Sequence, residues 1–278
     1  MLESRNYAPP ADLAPYVRNS FVFRANLPAD YMVLDQLVSE SAMIRLILKG
    51  DWFARYGEGE WRKKGPAILF GPNSRGFSVR SHGPFVVVGV ALRASGWAGL
   101  FEGKADSFTD EMFALEDIWG DCIRSLCADL MAGSPDDVTV IAAIENCVRE
   151  RLATLNNYSV DPAMAQFEKI ARDDSTMRVA DVAIQLGLSG RALERRCAAT
   201  FGMSPKAILR RSRFLDMAAA VRGISDPDAE ERAALRFSDQ SHLNREFRHF
   251  IGLTPGQFER VQTPLLNAVL KLRHDGLS

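Results

Sequence analysis

Basic side chains are concentrated in one short segment of this 278-residue chain, whose overall net charge is only −1. Residues 187–213 contain seven arginines or lysines and one acidic residue, Glu194, which is an excess of six positive charges. Such an excess could bind an anionic polymer by contacting its phosphate groups. The alternative is a solvated helix face with unpaired arginines, and composition alone leaves both interpretations open.

Around this segment, the spacing of apolar residues predicts a helix, a tight turn and a second helix. The residues on one face of the first helix are Val179, Val182, Ala183 and Leu186. Gly187 can end that helix in the left-handed conformation, and Ser189 is suited to cap the next one. This arrangement is typical of a helix-turn-helix unit.

The second helix of the unit has an apolar face and a polar face. Leu193, Cys197 and Phe201 share the inward face. The opposite face carries Arg191, Glu194, Arg195 and Ala198. A helix fits the major groove of DNA, where arginine can pair bidentately with a guanine edge.

The same pattern recurs 50 residues further along the chain. Residues 193–197 align with 243–247, and FGMSP (201–205) aligns with IGLTP (251–255). In each copy the glycine can close a helix, and the Ser-Pro or Thr-Pro pair can start the next. The residues on the corresponding polar face, with one near the helix start, are Gln240, Ser241, Asn244, Arg245 and Arg248. Asparagine and glutamine suit adenine, and arginine suits guanine.

Two segments together resemble the DNA-binding domain of AraC-type transcription regulators. They are MRVADVAIQLGLSGRALERRCAATFGMSP (177–205) and RFSDQSHLNREFRHFIGLTPGQF (236–258), and the resemblance covers about 167–262. It implies two units joined by a long helix at Pro205–Arg222, with recognition helices entering successive major grooves about 34 Å apart. The base contacts it implies are Arg191, Glu194 and Arg195, then Gln240, Ser241, Asn244 and Arg245. The candidate phosphate contacts are Lys206, Arg210 and Arg211.

Two departures from the family pattern matter. In 228–236 the supporting helix of the second unit has Asp228, Glu231 and Arg232 at positions that are apolar in the first unit, and Arg236 where a glycine is expected. Cys197 replaces the usual aromatic residue of the first unit. An alternative function follows, in which the second unit is degraded and the protein regulates mainly through protein partners.

The N-terminal part of the chain is rich in predicted strands. They are 31–38, 42–49, 67–70, 77–81 and 85–92, separated by glycine and proline turns. Short strands at this spacing predict a β-sandwich or small barrel. Residues 89–101 and 107–120 resemble, more weakly, the cupin-like N-terminal domain of one AraC subgroup, which implies a small-molecule sensor. The candidate pocket residues are Arg45, Trp52, Tyr56, Trp61, Phe77 and Arg80, although core packing is the favoured role for any one aromatic among them.

Helices are predicted for 121–131 and 138–155, with an apolar stripe formed by Ile141, Ile144, Val148 and Leu152. This stripe fits either packing between the barrel and the DNA-binding domain or a homodimer interface. The overall prediction is an α+β protein: a cupin-like barrel or sandwich with flanking helices (1–157), followed by an all-α domain with two helix-turn-helix units (161–278).

Several functional classes are disfavoured by the sequence. His82 is the only histidine of the barrel region, so a cupin metal site lacks its ligands, and neither a nucleophile elbow nor a P-loop occurs. We therefore expect no enzyme activity, no metal and no cofactor. The start of the chain does not resemble a secretory signal and no long apolar run occurs, which favours a cytoplasmic protein whose four cysteines are reduced. The expected partners are double-stranded DNA, a small-molecule effector, RNA polymerase and a second copy of the chain.

Overall fold

The computed structural model describes residues 2–133, 136–225 and 240–274, and it places an antiparallel β-sandwich ahead of a series of helices. The described strands are β1 (Leu2–Tyr7), β2 (Val17–Ala25), β3 (Met32–Leu37), β4 (Met43–Lys49), β5 (Phe53–Tyr56), β6 (Ala67–Phe70), β7 (Phe77–His82), β8 (Phe85–Leu92) and β9 (Met112–Ala114). One sheet has the order β1-β2-β8-β4-β6-β9 and the other the order β3-β7-β5. The predicted α+β class and β-rich N-terminal region are confirmed.

An apolar core lies between the two sheets. Phe23 of β2 and Phe85 of β8 share a buried cluster with Phe77 of β7. Alternate residues of the same strands, such as Val22 and Val88, lie in a second cluster on the outer face of the larger sheet. The larger sheet is therefore covered on both faces, as the side-chain alternation of a strand requires.

The five predicted strands correspond to β3, β4, β6, β7 and β8, with ends that differ by at most one residue. The hydropathy pattern did not indicate β1, β2, β5 or β9. In β2 the cause is visible, because Arg18, Asn19 and Ser20 are buried despite being polar. A strand that buries polar side chains loses the alternation on which its prediction depends.

Helices cover the outer face of the larger sheet. They are α1 (Trp97–Leu100), α2 (Glu116–Trp119), α3 (Asp121–Ala132) and α4 (Asp137–Leu155). The α4 stripe of Ile141, Ile144, Val148 and Leu152 is buried in the cluster that contains Val88. Among the described residues this cluster contains none beyond Val160, so the stripe packs on the sandwich and not, as expected, between the two predicted domains. Because its side chains are already covered, they do not form the alternative dimer interface either.

The structure joins Cys122 of α3 to Cys147 of α4 in a disulfide, and it leaves Cys127 and Cys197 as buried thiols. The expectation that all four cysteines are free thiols is therefore wrong for this pair.

The remaining described helices are α5 (Pro162–Asp173), α6 (Val179–Gln185), α7 (Gly190–Phe201), α8 (Pro205–Val221), α9 (Gln240–Ile251), α10 (Pro255–Arg260) and α11 (Pro264–His274). The predicted start of α7 is confirmed, because the Ser189 side chain accepts a hydrogen bond from the Ala192 N–H. Gly187 and Gly202 both have positive φ, 64° and 71°, as the predicted helix ends require. The helix-turn-helix formed by α6 and α7 is thus present where its local signals predict it.

The core of this first unit is tightly closed around Cys197, which is fully buried with Leu193 and Val182. The Cys197 Sγ lies 3.9 Å from the Met164 Sδ of α5. Met164 therefore packs against Cys197, and the fully buried Leu193 and Cys197 hold α7 against its neighbours.

The helices of the C-terminal region also contact the sandwich. Phe214 of α8, Phe247 of α9 and Leu266 of α11 belong to the same buried cluster as Phe77. At the closest approach, a Cβ at Gly76 would lie 1.9 Å from the Phe250 carbonyl oxygen, so only glycine fits there. The predicted boundary between 157 and 161 stays a prediction. It falls between the end of α4 and the start of α5, while one apolar core continues across the two regions.

Candidate nucleic-acid interface

The polar face of α7 is presented to solvent. Arg191, Glu194 and Arg195 are exposed, while Leu193 on the opposite face is fully buried. Within the described part of the chain, none of these three exposed side chains forms an ion pair with another residue. Their charged groups are therefore available to a ligand, on a helix that its buried face holds rigidly.

The corresponding face of α9 is also exposed. Four of the five predicted reading residues, Gln240, Ser241, Arg245 and Arg248, are exposed, and Asn244 is partly buried. Phe247 and Phe250 anchor the inner face in the core. The segment 228–236, whose charged residues depart from the family pattern, lies outside the described residues.

Of the predicted phosphate contacts, Lys206 is exposed near the start of α8, whereas Arg210 has a partner within the chain. The Arg210 guanidinium donates to both oxygens of Glu246 on α9, at 2.7 and 2.9 Å, and it lies 5.5 Å from the Phe250 ring centroid. Bidentate pairs of this kind fix geometry as well as charge. Arg210 therefore links the long helix to α9, and a phosphate would have to compete with Glu246 for it.

The prediction for Arg211 is wrong in this structure. Its side chain is 3% exposed and points at the sandwich, where it donates to the Asn73 carbonyl at 2.7 Å and to the Glu40 carbonyl. Burial, followed by the charge of Arg18, lowers its pKa to about 10. Arg210 and Arg211 are adjacent on a helix, so they face directions about 100° apart, and only the first points toward α9.

The candidate ligand residues of the sandwich do not form one pocket. Arg45 and Trp52 line a cavity of about 40 Å³ together with residues of α11, and the Arg45 guanidinium lies 4.8 Å from the Trp52 ring centroid. Burial lowers the pKa of Arg45 to about 10. A volume of 40 Å³ holds only a few water molecules, far below the roughly 300 Å³ or more typical of ligand sites.

The other four candidates lie elsewhere. Tyr56 and Phe77 belong to the core, and burial raises the pKa of the Tyr56 hydroxyl, which accepts a hydrogen bond from the Asn73 side chain. Arg80 packs on the Trp61 ring at 4.7 Å from its centroid. Their assignment to a shared pocket is therefore wrong, and the favoured alternative of core packing holds for Tyr56 and Phe77.

Sequence reasoning missed a group of charged residues between the sandwich and the helices. Arg18 of β2 forms ion pairs with Glu40 and with Glu168 of α5, and Arg273 of α11 binds Asp216 of α8 at 2.7 Å. These residues line a cleft of about 800 Å³. Their positions are far apart in the sequence, and the signal that the sequence offers is the polar run Arg18-Asn19-Ser20 within an otherwise apolar stretch.

The described residues include no group of three or more histidine, cysteine or carboxylate side chains arranged to hold a metal ion. Nor does the described part of the chain contain a helix long and apolar enough to cross a membrane.

Two family models match this chain, one in the C-terminal helices and one in the sandwich. A family model described as a helix-turn-helix domain matches residues 182–260, and one described as a domain of unknown function, DUF6597, matches residues 5–114. No curated protein was found to match the chain.

Similar solved structures include ToxT from Vibrio cholerae, at 11% identity over 93% of this chain and 97% of that chain, with a TM-score of 0.49. A structure of ToxT from Vibrio cholerae strain SCE256 with an unsaturated fatty acid bound shows 12% identity over 95% and 96%, with a TM-score of 0.47. The AraC-like transcriptional activator CuxR shows 12% identity over 77% and 94%, with a TM-score of 0.27.

The helix-turn-helix match includes both α7 and α9, the two helices whose polar faces are exposed. It confirms the resemblance carried by 177–205 and 236–258. Residues 182–260 of this chain therefore belong to a helix-turn-helix domain, in agreement with the AraC-type resemblance of the same segments.

Proposed function

We propose that this protein is a sequence-specific DNA-binding transcription regulator, in which α7 lies in a major groove. The observation that carries the proposal is the exposed face formed by Arg191, Glu194 and Arg195 on a helix whose other face is fully buried. Arginine can pair bidentately with guanine, and glutamate can accept from cytosine, so this face has the chemistry to read base edges.

The second reading helix is α9, which enters a neighbouring major groove on the same side of the duplex. Its exposed Gln240, Ser241, Arg245 and Arg248 and its partly buried Asn244 supply the contacts. The Arg210–Glu246 pair supports a fixed spacing, because it connects α8 directly to α9. Lys206 contacts a phosphate, and Arg211 has no such role.

The proposal includes RNA polymerase and a second copy of the chain as protein partners, a small-molecule effector, and a cytoplasmic location. The cavity at Arg45 and Trp52 offers such an effector little room, because it measures about 40 Å³. Leu265 and Ala268 of α11 line its other side. A ligand bound there would have to displace α11.

The test is selection of genomic fragments with the purified full-length protein, followed by fluorescence anisotropy over a salt series. We expect a site with two half-motifs about one duplex turn apart and an affinity that falls steeply with salt. Weak, sequence-independent binding would contradict the proposal. It would favour the alternative in which the second unit is degraded and regulation runs through protein partners.

A further inference from the structure

A polar cleft of about 800 Å³ lies between the sandwich and the C-terminal helices, and cationic side chains outnumber carboxylates around it by six to four. The cationic residues are Arg18, Arg93, Lys169, Arg172, Arg211 and Arg273. This volume is within the range of roughly 300–1,000 Å³ that small-molecule sites occupy. The cleft is thus twenty times larger than the cavity at Arg45, and its chemistry is different.

Both regions of the protein contribute to this cleft. Arg18 lies on β2 and Arg93 directly follows β8, whereas Arg172 lies on α5, Arg211 on α8 and Arg273 on α11. A ligand held by these residues would therefore contact the sandwich and three helices at once.

The carboxylates do not neutralise every buried arginine. Arg18, which is 8% exposed, donates to Glu40 and Glu168, yet its Nε is buried without a hydrogen-bond partner among the described residues. Arg211 donates to the carbonyls of Asn73 and Glu40, and among the described residues it has no carboxylate partner. The site therefore combines buried positive charge with unused donor capacity.

The alternative role for these residues is an ion-pair network that only holds the two regions together. Such a network gains most when opposite charges balance, because every buried charge loses hydration. Here the positive charges repel one another. Burial lowers the pKa of Arg273 to about 9 and that of Arg211 to about 10, and the charge of Arg18 is the second cause in both cases. The carboxylates offset part of this charge, since Glu40, Glu168 and Asp216 pair with Arg18 and Arg273, and an anion in the cleft would relieve the repulsion that remains among the six cations.

We propose that this cleft is a binding site for a small polyanion, a molecule that carries at least two phosphoryl or carboxylate groups. Arginine suits both groups, because its planar guanidinium donates in pairs to their oxygens. The proposal does not depend on DNA binding by α7 and α9. A bound polyanion would join Arg93 of the sandwich to Arg172 of α5 and thereby strengthen the contact between the two regions.

The test is isothermal titration calorimetry of the full-length protein with inorganic pyrophosphate and, separately, with citrate, at constant ionic strength set by sodium chloride. We expect saturable binding of at least one of them and a rise in the midpoint of thermal unfolding. Tighter binding of pyrophosphate would identify a phosphoryl ligand, and tighter binding of citrate a carboxylate ligand.

Three variants locate the bound anion. Arg172→Gln should weaken binding about tenfold or more, since a charge-assisted hydrogen bond is lost. Lys169→Gln, at an exposed position on the rim where folding is not at risk, should weaken binding severalfold. The matched control, Arg191→Gln with Arg195→Gln, removes the charge of the α7 face and should leave pyrophosphate binding unchanged.

Two outcomes overturn the proposal: neither anion binds the folded protein, or the α7 double variant loses binding while Arg172→Gln keeps it. The second outcome would place the anion on the DNA-reading face. Because the DNA selection has a separate readout, failure of one proposal does not imply failure of the other.

Discussion

The exposed arginines of α7 and the buried arginines between the two regions are the same residue type in opposite environments. Arg191 and Arg195 have charged groups open to solvent, whereas Arg211 and Arg273 are 3% and 8% exposed and bind groups of the protein. An exposed arginine adds little to folding and is available for a ligand. A buried one supports the structure, and its removal leaves its partners without hydrogen bonds. Charge density along the sequence therefore does not by itself mark a DNA-binding surface.

The largest difference between the buried and the exposed arginines is expected in protein stability, and Arg211→Ala tests it. This change leaves the carbonyls of Asn73 and Glu40 without their donor and opens space in the contact between α8 and the sandwich. We expect the free energy of unfolding, measured in urea, to fall by about 3 kcal/mol. The control on the same helix is Lys206→Ala, which should change it by less than about 0.5 kcal/mol. Equal effects of the two changes would mean that Arg211 is not buried in solution.

The second-largest effect on stability is expected from a buried carboxylate, that of Asp35. Asp35 of β3 is 2% exposed and accepts from the Leu265 N–H at the start of α11 at 2.6 Å. Burial raises its pKa to about 7 from its ordinary value near 4. Because the folded state binds the proton more tightly than the unfolded chain, the stabilisation is complete below pH 4 and is lost as the pH rises through 7.

Between pH 5.5 and 7.5 we therefore expect Asp35 to reduce the free energy of unfolding by about 2 kcal/mol. The measurement is urea unfolding at a series of pH values, with Asp35→Asn as the comparison. The variant should have the flatter pH dependence over this range. A parallel dependence in both proteins would refute the raised pKa of Asp35.

Among the exposed arginines of α7, the substitution to test is Arg195→Ala. It should weaken binding to the selected DNA site about tenfold or more and relax the preference at one base pair, because a bidentate contact is lost. The unfolding free energy should stay the same. Arg124→Ala, at an exposed arginine of α3 on the sandwich side, is the matched control and should bind DNA like the wild type. If Arg195→Ala keeps full affinity and specificity, the assigned reading face of α7 is incorrect.

The smallest effect is expected from Lys206→Ala. A single phosphate contact carries no sequence information, so affinity should fall severalfold for every DNA sequence and the salt dependence should decrease by about one ion. Anisotropy titrations at several salt concentrations, with specific and unrelated duplexes, measure both quantities. A loss confined to the specific duplex would instead place Lys206 at a base edge.

Sequence reasoning succeeded where structure depends on neighbouring residues. Ser189 and Gly202 marked the ends of α7, and the run of apolar, mostly β-branched residues in Phe85–Leu92 marked β8, because caps, turns and short apolar runs are local properties. It was less successful for the sandwich pocket. Tyr56 and Phe77 were placed with Arg80 from residue type alone, and strand patterns do not specify which faces meet in the folded protein.

The sequence by itself determined the first helix-turn-helix unit, where its helices start and end, and which residues share the polar faces of α7 and α9. The period of a helix and the chemistry of its caps are sufficient for that. Only the tertiary structure decided that Arg211 is buried, that Arg210 binds Glu246, and that Arg18 and Arg273 meet across a cleft. These outcomes depend on which surfaces pack together. Burial of a shared apolar core brings residues more than 200 positions apart into contact, such as Asp35 and Leu265, and no local sequence pattern encodes that contact.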